Sequence, residues 1–246
     1  MENTQQAEQF LTAIQSFTDQ GRYIEAAERL QSTEARTALS TKRLALELAE
    51  VFGQQGYYGK AVRTLEQHVT DPEVVSLHNI VGMRLQMVLL SFKAQRLHDF
   101  KGLGGIRQRV LSLEDIISSL ISCDNYLDED VVRTVEGYCQ LMQWISEFNR
   151  PLPKEAMERV FVWVKRALDA NTSHSQFRLA VILLRAYTAG ATSRLAKLYG
   201  LDMDECKEAM QRLVDAPAIP NLLKAKVFHL LAWTTDPEDK ALGESY

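Results

Sequence analysis

The sequence predicts an all-α protein. Apolar residues recur at helical spacing from one end to the other, no stretch alternates with the period of two that marks a half-buried strand, and Gly21, Gly56, Pro151 and Pro153 fall between periodic segments. With 246 residues and 46% apolar content, the chain has material for one large domain or two closely packed ones. Charged residues make up 24% and are scattered, and only 12 Gly and 6 Pro are present, so order is expected nearly throughout.

The first helical stripe consists of Phe10, Ala13, Ile14 and Phe17. After a break at Gly21, Tyr23, Ala26, Ala27 and Leu30 form a second. Leu44, Leu48, Val51 and Phe52 repeat the arrangement, Gly56 breaks the chain again, and Tyr58, Ala61, Val62 and Leu65 follow. This pattern predicts two helix-turn-helix hairpins side by side. Leu85, Val88, Leu89 and Phe92 make a further amphipathic helix, after which Arg96 to Phe100 lacks a Gly-x-aromatic turn and Gly102, Gly104 and Gly105 interrupt the register.

Gly21 and Gly56 lie 35 positions apart, close to the ~34-residue period of tetratricopeptide repeats. The first unit (Phe10, Ala13, Ile14, Phe17, Gly21, Tyr23, Ala26, Leu30) and the second (Ala45, Leu48, Ala49, Phe52, Gly56, Tyr58, Ala61, Leu65, with Pro72 beyond) resemble that family over residues 7–72. The resemblance implies stacked antiparallel hairpins, a TPR-like α-solenoid over residues 1–100, in which small residues let each hairpin cover the open face of the last. Residues 101–246 are expected to form a compact helical C-terminal half packed on it.

In that half, Ser112 is placed to cap a helix carrying Leu113, Ile116, Ile117 and Leu120. Asp124-Asn125 precedes a long helix running to about Phe148, opened by the acidic cluster Asp128, Glu129 and Asp130. Val160, Phe161, Val164 and Leu168 form the buried stripe of the next helix, and Phe177 to Tyr187 is apolar on most sides, as a central helix would be. Thr192 to Val214 reads as two short helices joined at Gly200, with Asp202 and Glu205 as a capping-box-like pair. This segment resembles the helix-turn-helix that follows helical repeats in PCI-type scaffold subunits. It departs from them where the β-hairpin wing belongs, since Pro217, Pro220 and a helix through Leu222, Val227, Phe228 and Leu231 follow instead.

The net charge of -4 argues against nucleic acid and anionic membranes, which reward clustered Lys and Arg. Around the helix-turn-helix-like segment, Arg194, Lys197, Lys207 and Arg212 are balanced by Asp202, Asp204, Glu205 and Glu208. No apolar run approaches the ~20 residues of a membrane span, and the polar start Met1 to Gln9 lacks the features of a secretory signal. Three cysteines without paired spacing, Cys123, Cys139 and Cys206, suit reduced thiols in the cytoplasm or nucleus. Asn171-Thr172-Ser173 is then a helix-start cluster and not a glycosylation acceptor. The five histidines, His68, His78, His98, His174 and His229, have neither i,i+4 nor H-E-x-x-H spacing, so no metal, cofactor or catalytic residue is assigned.

Two surfaces remain as candidates for function. Tetratricopeptide resemblance implies a groove along the first helices, and at its contact positions stand Leu11, Gln15, Glu47 and Glu50. The Lys, Asn and Arg clamp with which some family members hold a carboxylate is missing there. The two glutamates favour a basic or neutral peptide or helix of another protein. Lys101, Gly102, Gly104, Gly105 and Arg107, within the basic stretch Lys93 to Arg109, form a candidate anion-binding loop whose plainer reading is a solvated turn between repeats. Trp144, Trp163 and Trp233 are either interface anchors or core residues. The expected function is an intracellular protein-interaction module or scaffold subunit. The competing one is a helical small-molecule-binding protein or enzyme with a pocket in the C-terminal half.

Overall fold

The computed structural model describes residues 4–68, 79–96, 103–144, 152–170, 174–191, 200 and 202–234. Among these are thirteen helices and no strand, so the chain is all-α as its periodicity predicts. They are α1 (Thr4–Asp19), α2 (Tyr23–Leu30), α3 (Thr33–Ala38), α4 (Thr41–Gln54), α5 (Tyr58–His68), α6 (Ile80–Arg96), α7 (Leu103–Leu111), α8 (Glu114–Ser122), α9 (Glu129–Trp144), α10 (Lys154–Asp169), α11 (His174–Ala191), α12 (Met203–Asp215) and α13 (Asn221–Thr234). The chain divides into two compact units, Met1–Leu103 and Gly104–Tyr246.

In the first unit the two glycine turns have the same geometry. Gly21 and Gly56 adopt φ of 74° and 79°, the left-handed conformation that ends a helix without a Cβ clash. Around each, the hydrogen bonds repeat at the same offset. The Gly21 and Gly56 N–H groups donate to Thr18 and Gly53 carbonyls at 3.0 Å, and those of Arg22 and Tyr57 donate to Phe17 at 2.9 Å and Phe52 at 2.8 Å. Burial repeats with them. Ile14 matches Ala49, Ala26 matches Ala61, Ala27 matches Val62 and Leu30 matches Leu65, all buried.

The first hairpin departs from the second after Leu30. The chain restarts at Ser32, whose side chain accepts from the Ala35 N–H at 3.2 Å, and α3 closes the cluster of Phe10, Ile14, Ala26, Ala27, Leu30, Ala35, Ala38, Leu39 and Val51. Ser40 caps α4 in the same way, accepting from Arg43 at 3.3 Å. Phe52 on α4 packs against both that cluster and the next, in which Leu46, Ala49, Ala61, Val62 and Leu65 meet Leu85, Leu89 and Phe92 of α6. Helix α4 therefore carries apolar residues into two cores. Gly53 lets it approach α6 so closely that a Cβ there would fall 2.3 Å from the Phe92 ring. Pro72 and residues 97–100, the stretch without a Gly-x-aromatic turn, lie outside the described residues.

The second unit is built around α11, which packs against α9, α10, α12 and α13. Nearly all of it is buried, from Phe177 to Ala191, as expected of a central helix. The stripe Val160, Phe161, Val164 and Leu168 of α10 is buried too. Several local expectations need correction. Ser112 does not cap α8: the segment before it is helical to Leu111, so the hydroxyl donates back to the Arg109 carbonyl at 2.7 Å. Asp128 is the residue that opens α9, accepting from Asp130 and Val131 N–H groups at 2.9 and 3.2 Å. Asp202 caps α12 as expected, accepting from Asp204 and Glu205, while the Glu205 side chain turns to Lys165 at 2.7 Å. Residues 145–151, 171–173 and 192–199, parts of which carried sequence expectations, lie outside the described residues.

Candidate functional site

Of the four groove positions, Leu11 and Gln15 sit half-buried on α1, where Leu11 packs against the first core cluster. Glu47 and Glu50 lie on one stripe of α4 with Arg43, and the structure turns this stripe inward. Glu47 is 5% exposed and takes an ion pair from Arg43 at 2.8 Å. Glu50 is bound by the guanidinium of Arg84, a residue of α6 with only 1% of its side chain exposed. This corrects the expected electrostatics: both carboxylates neutralise arginines of their own unit, so they do not offer free negative charge to a basic ligand. The physical reason is desolvation, since a buried guanidinium is costly without a matching anion. Sequence reasoning missed Arg84, although a single arginine in the apolar run of α6 was a visible signal.

The second unit repeats this device along its central helix. Arg178 of α11, with 7% of its side chain exposed, is paired to Glu129 of α9, which also holds Arg133 at 2.6 Å. Seven residues on, in both helices, Arg185 pairs with Glu136 at 3.2 Å. The equal spacing places α9 and α11 parallel and in fixed register. Asp128, Glu129 and Asp130 thus serve helix opening and internal pairing, with Asp128 as the cap and Glu129 as the anion for the core.

The candidate anion-binding loop is only partly described. Lys101 and Gly102 lie outside the described residues, while Gly104, Gly105 and Arg107 belong to helix α7 and not to a loop. Within α7 the Arg107 N–H lies past the first turn and faces a carbonyl of its own helix, whereas Gly104 and Gly105 stand in the first turn, whose N–H groups meet no carbonyl of the same helix. No group of three or more His, Cys, Asp or Glu able to hold a metal ion occurs among the described residues.

A further cluster surrounds Asp124, the non-glycine residue with a φ of 60° at the turn between α8 and α9. Its Oδ1 accepts the indole N–H of Trp163 at 2.9 Å and its Oδ2 pairs with Arg166, while Arg159 donates to the neighbouring Ser122 carbonyl at 3.0 Å. The Arg166 hydrogen bond holds the Asp124 carboxyl below its ordinary range, with its charge and the Trp163 bond adding to the effect. Trp163 is accordingly a fully buried core residue and Trp144 is half-buried. Cys139 and Cys206 are also buried, and burial pushes their thiols up to about 12 and about 11.

Trp233 is different. It stands 55% exposed on α13, and Phe228 on the same helix is 50% exposed. The inward seam of α13 is Leu223, Val227 and Leu230, all buried. Its outward seam, Asn221, Ala225, Phe228 and Ala232, is exposed and largely apolar. An ordinary surface helix is polar on that side. No helix among the described residues is long and apolar enough to cross a membrane. Comparison of the chain with protein-family models, curated proteins and solved structures returns no match.

Proposed function

We propose that the chain is a protein-interaction module, a scaffold subunit of a larger intracellular assembly, whose first unit is a tetratricopeptide-like array receiving a segment of another protein. The observation that supports this reading is the 35-residue repeat of backbone and burial from Gly21 to Gly56. Repeated hairpins of this kind leave a continuous face along their first helices, and such faces bind extended or helical segments. Leu11 and Gln15 on α1 are the proposed contacts. Because Glu47 and Glu50 are held by Arg43 and Arg84, the segment received there is neutral and apolar in preference to basic.

A photo-crosslinking amino acid at Leu11 or Gln15, compared with one at the exposed Arg63 of α5, tests it in cells that make the protein. Crosslinks to the same partner from Leu11 and Gln15 but not from Arg63 are expected. A partner captured only from Arg63, or a chain that purifies alone as a monomer with no crosslink at any of the three, refutes the groove.

A further inference from the structure

We draw no further inference here: the strongest candidate, the exposed apolar seam of Asn221, Ala225, Phe228 and Ala232 on α13, is an unpartnered helix face, and nothing in the structure shows what covers it.

Discussion

Glu129 and Glu136 give the sharpest test of how the second unit is held. They are the same residue type on the same helix, one heptad apart, and both pair with arginines of α11. They differ in what their loss exposes. Arg178 has 7% of its side chain exposed, Arg185 46%. Removing one partner of a buried pair costs about 3–5 kcal/mol, because the remaining charge stays desolvated. Glu129 keeps 27% of its side chain exposed, so water reaches the site and Glu129→Ala should cost roughly 2–4 kcal/mol on this scale. About 0.5 kcal/mol of that belongs to the lost acid in the first turn of α9. Glu136→Ala should cost less than ~1 kcal/mol, as exposed pairs do. All three tryptophans, Trp144, Trp163 and Trp233, lie in the second unit, so their fluorescence reads its unfolding in urea. With a slope of about 2 kcal/mol per molar, a loss of ~3 kcal/mol moves the midpoint by about 1.5 M. The double substitution Glu129→Leu with Arg178→Met should recover the part of the loss that belongs to Arg178, since an apolar pair removes the desolvation cost there while Arg133 still loses its Glu129 pair. Equal losses for Glu129→Ala and Glu136→Ala, or no recovery in the double variant, would refute the reasoning.

Gly56→Ala should cost about 1–2 kcal/mol by far-UV circular dichroism, entirely from the left-handed backbone, since an added Cβ meets nothing within 4 Å. Gly105→Ala, equally unobstructed but inside α7, should instead stabilise by roughly 0.5–1 kcal/mol, and the two variants shifting stability in the same direction would contradict both assignments. The depressed Asp124 carboxyl contributes stability that is complete above its unfolded value near ~3.9 and is lost as pH falls through its lower folded value. The stability gap between wild type and Asp124→Asn, read from tryptophan fluorescence, should therefore hold steady at neutral pH and close in acid below about pH 4, and a gap that widens on acidification would reverse the sign of the linkage. A colorimetric thiol assay at pH 8 should titrate Cys123 alone in the native protein and all three cysteines in denaturant, because Cys139 and Cys206 are buried; rapid native reaction of all three would show that the second unit opens readily.

Sequence reading reached the helices α1, α2, α4 and α5 with their two glycine turns, the interior stripe of α10 and the central position of α11, because in each case apolar residues stand at the helical period and the turn chemistry agrees; it did not reach α3. It stopped short where identity alone leaves two outcomes open. Glu47 and Glu50 occupy a stripe that reads as polar and outward, yet α6 delivers Arg84 to it. Trp163 and Trp233 both sit among apolar neighbours, yet one is buried with its N–H on Asp124 and the other stands exposed. Gly104 and Gly105 resemble a turn, but the helix of Leu103–Leu111 absorbs them. Arg84 was legible in principle, as a lone arginine within an apolar helical run, and Arg178 as one of two arginines set a heptad apart in another.

By itself, then, the sequence determines that the chain is helical, where Gly21 and Gly56 turn it, and which faces of α1, α2, α5 and α10 go inward. These are local properties, set by dihedral preference at a glycine and by side-chain direction every 3.6 residues. Tertiary structure alone decides which charges meet, that α9 and α11 run parallel with Glu129 on Arg178 and Glu136 on Arg185, and that α13 keeps an apolar seam outside. Those outcomes depend on residues from 34 to 49 positions apart arriving at one place. Desolvation then couples them, since a buried guanidinium is tolerated only where a distant helix supplies its carboxylate.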